Sequence, residues 1–214
     1  MKRFPKEHPK EFRVFKKLDT PVKVQDFIEA LPINFERGGD TCRSPLMTLR
    51  AGEAHCMEGA LLAAAAFWYH GARPLLLDLK TAKGDESHVV ALFRHRGLWG
   101  AVSKTNHAVL RYRDPVYRTP RELALSYFNE YFLDNGRKTM KSYSVPFNLL
   151  TYRGEWLTAR KHLWNLIDKL DLSPHMNILP RGGAKLRGAD PIERKAGELV
   201  QWKEKKRKKR QKNG

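Results

Sequence analysis

The hydrophobic pattern is most one-sided in "MEGALLAAAAFWYH", where Glu58 is the only charged residue. A helix that is apolar all round belongs at the centre of a core, and Gly71 marks its stop. Upstream, "TPVKVQDFIEAL" sets Val24, Phe27, Ile28 and Leu31 at helical spacing. Thr20 serves as its N-cap with Pro21 at the first helical position, and Pro32 ends it. Residues 33–51 show no period and read as a long connection. After Gly71 the pattern changes: "RPLLLDLK", "SHVVALF" and "LWGAVS" are apolar runs of strand length, the last two joined as a hairpin through "RHRG". "TPRELALSYFNEYF" and "GEWLTARKHLWNLIDKL" return to helical spacing. From Ser173-Pro174 onward Gly, Pro and basic residues take over. This order predicts an α+β domain, with a central Cys-bearing helix packed on a small antiparallel sheet and additional helices around it. The domain is expected over residues 20–172, between a basic arm at 1–19 and an extended, flexible basic tail at 173–214.

Composition narrows the classes. The chain has 214 residues, 41% of them hydrophobic, enough for one full core. It has no run of eighteen apolar residues, so no membrane span is expected, and no apolar run follows the basic N-terminus as in a secretory signal. Two cysteines make no disulfide framework and point to free thiols in a reducing cytoplasm. No Cys/His cluster has zinc spacing, and no cofactor is expected. The net charge is +18, of which "QWKEKKRKKRQKNG" carries +7. That run reads as a solvated tail, able to hold RNA, DNA or another polyanion weakly. "LRYRDPVYR" reads as a strand with a solvated basic face.

Cys56 stands where the central helix begins. A thiol there faces unpaired N–H groups and the positive end of the helix dipole, which favour thiolate. Such a nucleophile needs a base. His88, at the start of a strand, is the first choice; His55, next to Cys56, is expected to point elsewhere on the helix. Cys42 lies in an irregular loop and is expected to be inert. If the hairpin turn is centred between His95 and Arg96, His88 faces Ser103, at about 5 Å between Cβ atoms. The backbone N–H of Cys56 is a natural oxyanion donor, and Gln25 is the nearest upstream amide to join it.

The motifs "AHCMEGA", "ESHVVALF" and "GLWGAVSKTNH" resemble the transglutaminase-like superfamily, the circularly related cousin of the papain fold, over roughly residues 20–135. The longer string from Trp99 to Phe132 is similar to a bacterial branch of that superfamily. The resemblance implies Cys56 as nucleophile, His88 as base, and an amide bond in a peptide or protein as substrate, opened through a thioester by hydrolysis or acyl transfer. The family pattern has Asp where this chain has Ser103. The third member is therefore open: Ser103 leads on register, Asn106 would parallel a Cys-His-Asn arrangement, and Asp85 and Asp114 are further acceptors. The missing Asp leaves a catalytically inactive binding module as an alternative, and the charge leaves a nucleic-acid-associated protein.

Overall fold

The computed structural model describes residues 3–180 and 185–204. Three helices open the fold: α1 (Pro21–Ala30), α2 (Pro45–Ala51) and α3 (Cys56–Tyr69). Strands β1 (Leu75–Thr81), β2 (His88–His95), β3 (Leu98–Val102) and β4 (Arg113–Tyr117) follow, then α4 (Pro120–Leu125), β5 (Met140–Ser144) and β6 (Phe147–Asn148). Helices α5 (Glu155–Thr158) and α6 (Trp164–Asp171), strand β7 (His175–Asn177) and α7 (Pro191–Gly197) close the order. The seven strands form one antiparallel sheet in the order β4-β3-β2-β1-β5-β7, with β6 paired to β1 as well. The architecture is α+β.

Thr20 caps α1 by accepting the Lys23 N–H at 3.2 Å, as the Thr-Pro pair predicts. α3 lies on the sheet. Val89, Ala91 and Phe93 of β2 join its core cluster, while Val90 and Leu92 point into a second cluster with Leu123 and Tyr127. The period of two along β2 thus divides two apolar layers, which is why "HVVALF" reads as a continuous apolar run.

The β2–β3 turn is centred between Arg96 and Gly97, both at positive φ (49° and 85°), the signature of a two-residue type I′ hairpin. That is one residue later than the sequence suggested. The register moves by two, to Ala91↔Val102 and His95↔Leu98. A two-residue shift leaves every side chain on its own face, so Ser103 becomes a diagonal neighbour of His88 instead of its direct partner.

The domain is larger than residues 20–172. Phe12 and Phe15, on a 3₁₀ turn at Lys10–Lys17, are fully buried in the α3 cluster, so the N-terminal arm belongs to the core. At the other end β7 pairs with β5, and residues 199–202 run beside 106–108. The stretch from Ser173 to Glu204 is therefore not a free tail where it is described. The contacts at residues 199–202 are largely backbone bonds, which leave no apolar period to read. The basic run 205–214 lies outside the described residues. The helix expected over 154–170 is two helices, broken at residues 159–163.

At Gly59, α3 approaches the irregular chain just past the end of β3. A Cβ there would stand 2.5 Å from Cβ of Lys104, itself fully buried and donating to the Leu31 carbonyl at the end of α1. Helix propensity alone predicts that Gly59→Ala stabilises by up to about 1 kcal/mol. Packing predicts the opposite sign, a net loss of about 1–2 kcal/mol, because the neighbour is a side-chain root that cannot swing away. Urea unfolding of Gly59→Ala decides between them.

Candidate active site

A cavity of about 630 Å3 opens beside the starts of α3 and β2. Asn34, Glu36, His55 and Cys56 line it from the α3 side; Leu110, Glu130 and Tyr131 line it from the other, and His88 enters from β2. Cys56 is half-buried and is the first residue of α3.

The structure brings Cys56, His88 and Ser103 together. His88 Nε2 lies 2.7 Å from Ser103 Oγ, and Ser103 Oγ donates its own proton to the Leu110 carbonyl. The hydroxyl oxygen is therefore an acceptor for the imidazole. Nε2 carries the proton, and Nδ1 is left with a lone pair for the thiol. Ser103 is held from behind by Gln25, whose Oε1 accepts the Ser103 N–H and whose Nε2 donates to the Ser103 carbonyl, both at 2.9 Å. The Gln25 amide is thus spent on the Ser103 backbone and is not an oxyanion donor. Asn106 lines the cavity, but its side chain binds the backbone of Trp202. Asp85 accepts from Thr139 and from the Glu86 N–H, and Asp114 is exposed on β4. None of these three substitutes for Ser103 at the ring.

His55 corrects the sequence reading. It is the N-cap of α3, with extended backbone (φ −96°, ψ −174°), and so it does not follow the helical spacing that would turn it from Cys56. The ring folds over the helix start. Nε2 lies 2.9 Å from the Thr41 carbonyl and 3.6 Å from a carboxylate oxygen of Glu36 and of Glu58. Nδ1 is left facing the helix, where in the neutral ring it accepts the Met57 N–H at 3.3 Å. In the imidazolium, Nδ1 donates its proton to the Cys56 sulfur instead. Glu58 completes a capping box by accepting the His55 N–H. It is fully buried, and also accepts from Asn34, Thr41 and the Arg43 N–H.

The electrostatics follow from this arrangement. Burial works against a charged Cys56, but hydrogen bonding to His55 and then to His88, with the charge of both rings, brings its pKa down to about 5. Burial likewise opposes a charged His55; hydrogen bonding to Cys56, its charge, and the charges of Glu58 and Glu36 raise it to about 9. Cys42 is the opposite case. Completely buried, it is pushed up to about 12, chiefly by burial and then by the nearby Glu58, Cys56 and Glu36 charges. Both thiols are free.

Sequence reasoning also missed Tyr131. Its hydroxyl is buried beside the cavity with no hydrogen-bond partner among the described residues, and after burial the Cys56 charge is the first influence raising its pKa. In the first turn His55 takes the N–H of Met57 and Glu58 takes that of His55, and the N–H of Cys56 has no partner among the described residues. Among the described residues no group of three His, Cys, Asp or Glu is placed to hold a metal ion, and no helix is long and apolar enough to cross a membrane. The chain matches no protein-family model and no curated protein sequence.

Proposed function

We propose that this chain is a thiol enzyme of transglutaminase-like type that opens amide bonds through a thioester on Cys56. The observation that carries the reading is a cysteine at a helix start between two imidazoles, one of them fixed in its tautomer by Ser103. The thiol proton, held by His55 in the resting ion pair, passes to Nδ1 of His88 as the sulfur bonds to the carbonyl carbon and the C=O electron pair moves to oxygen. The Cys56 N–H and the Tyr131 hydroxyl are the donors nearest to that oxygen. Collapse restores C=O and breaks the C–N bond, and His88 returns the proton to the leaving amine. Water or a second amine then takes the acyl group. Ser103 supplies no charge to His88, and that favours a binding module without catalysis. Against this, Glu36 and Glu58 supply negative charge at the site through His55.

Iodoacetamide labelling with mass mapping at neutral pH tests the thiolate. Cys56 is expected to react at least about 100-fold faster than Cys42, because one thiol is ionised and cavity-facing and the other neutral and sealed. Comparable rates would remove the catalytic reading. Tyr131→Phe separates oxyanion binding from nucleophile activation. Acylation by p-nitrophenyl acetate should fall about 10-fold, whereas alkylation, which builds no oxyanion, should keep its rate. Equal losses in both would place the hydroxyl on the thiolate instead.

A further inference from the structure

One wall of the cavity is built by the C-terminal segment. Arg194, Gly197 and Glu198 line the same space as Cys56 and His88. Past α7 the chain runs beside residues 106–108. Val200 forms an antiparallel bridge with His107, the Ala108 N–H donates to the Leu199 carbonyl at 3.0 Å, and the Gln201 N–H donates to the Asn106 carbonyl at 2.8 Å. The Asn106 side chain then grips both backbone groups of Trp202: Oδ1 accepts the N–H at 2.8 Å and Nδ2 donates to the carbonyl at 3.0 Å. Two residues on, Glu204 pairs with Arg37 at 3.3 Å. Arg37 directly follows the cavity-lining stretch Ile33–Glu36. The segment therefore ties one cavity-lining stretch to another as a strap.

Most of what holds the strap is main chain. Leu199 and Val200 are 62% and 39% exposed, so their side chains bury little; Trp202 is half-buried with its indole nitrogen enclosed, and the Gln201 and Glu204 side chains meet Arg111 and Arg37. The main-chain part of the grip is independent of residue type, and a segment with one half-buried apolar side chain opens at low cost. Strand addition to an open edge recognises peptides in this way. An amide side chain that satisfies both backbone groups of one residue is a reader of peptide bonds as such.

We infer that the Asn106–Ala108 edge is a binding site for extended polypeptide, occupied in this state by the chain's own Leu199–Trp202. A substrate polypeptide takes over the same hydrogen bonds and lies along the cavity that holds Cys56. The site itself stands on the strap geometry; calling its occupant a substrate rests on the thiol chemistry proposed above.

The probe is a synthetic peptide of the sequence Gly197–Glu204, labelled with fluorescein and titrated with the full chain by fluorescence anisotropy. Gln201→Pro removes the N–H that reaches the Asn106 carbonyl, and Trp202→Pro removes the one that reaches Asn106 Oδ1. The double variant should bind the peptide at least about tenfold more tightly than the unaltered chain, since its own strap no longer competes. Adding Asn106→Ala should reverse that gain. Hydrogen exchange on the unaltered chain gives a second reading that needs no variant. Excess unlabelled peptide should speed exchange at the Gln201 and Trp202 amides while those pairing β1 with β2 stay protected. Peptide affinity indifferent to the strap substitutions, affinity indifferent to Asn106→Ala, or exchange unaffected by peptide would overturn the site. Iodoacetamide labelling of the same samples keeps the two claims apart. A reactive Cys56 without strap-dependent binding removes the peptide site alone; strap-dependent binding with an inert Cys56 removes the thiol chemistry and leaves the peptide site standing.

Discussion

Replacing His55 by asparagine should move the alkylation midpoint of Cys56 from about 5 up toward the ordinary thiol value of about 8.5. Asparagine is a good N-cap, so the start of α3 survives the change. What is lost is the cation that Glu36 and Glu58 hold against the sulfur. Burial, which raises the thiol, is then opposed by His88 only. At pH 6 the thiolate fraction falls by at most about 300-fold, partly offset in rate because a more basic thiolate is intrinsically more nucleophilic. The midpoint is therefore the quantity to measure. His88→Asn should shift it less, because His55 is the stronger of the two influences, yet should slow acyl transfer more, because His88 moves the proton. A midpoint unmoved by His55→Asn would return His55 to a purely capping role.

The same pair gives stability a pH dependence. The raised His55 stabilises the fold fully below its unfolded value of 6.5 and loses that effect as pH rises through about 9. The lowered Cys56 stabilises fully above its unfolded value of 9.0 and loses the effect as pH falls through about 5. Between 6.5 and 9 the folded pair and the unfolded pair bind the same number of protons, and stability is flat. From pH 6.5 down to 5 the unfolded state binds one more, so stability falls. The step is at most about 2 kcal/mol, reduced by solvent at a half-exposed thiol. Cys56→Ala should erase it from melting curves taken across that interval.

The sequence carried the central helix, the Thr20-Pro21 start of α1 and the β2–β3 hairpin because each has a local cause: an apolar run, a cap, a Gly-containing turn. Cys56, His88 and Ser103 could be placed for the same reason, and a turn misjudged by one residue did no harm because a two-residue register shift preserves faces. His55 was misjudged by applying helical spacing to a residue that is not yet helical. A signal was present. "HCME" puts Glu three residues after His55, the spacing of a capping box, and a lone Glu in an apolar helix must find partners. Tyr131 and the strap had no such signal. Tyr131 sits among alternating aromatic and polar residues, and the strap is held mostly by backbone groups that every residue carries.

Glu58→Ala should be among the most destabilising single substitutions around the site, by about 3–5 kcal/mol. The carboxylate is fully buried. Oε1 accepts from Thr41 at 2.9 Å and from the Arg43 N–H at 3.1 Å; Oε2 accepts from Asn34 at 3.1 Å and from the His55 N–H at 3.3 Å. The Arg43 guanidinium lies 3.7 Å away, with Glu53 as its second partner. Alanine leaves these donors facing a void and unpins the loop at 34–43 from the start of α3. Glu58→Gln fills the void and keeps acceptor capacity but removes the charge, so it should be the milder change in urea unfolding. At Cys56 the two variants should converge. Each deprives the His55 imidazolium of one of its two carboxylates, which lowers the His55 pKa and raises that of the thiol it supports. The alkylation midpoint should therefore rise in Glu58→Gln even where stability is largely kept. That split between fold and charge is what a merely structural Glu58 would not produce. A Glu58→Gln chain with an unshifted midpoint would assign the support of His55 to Glu36 alone.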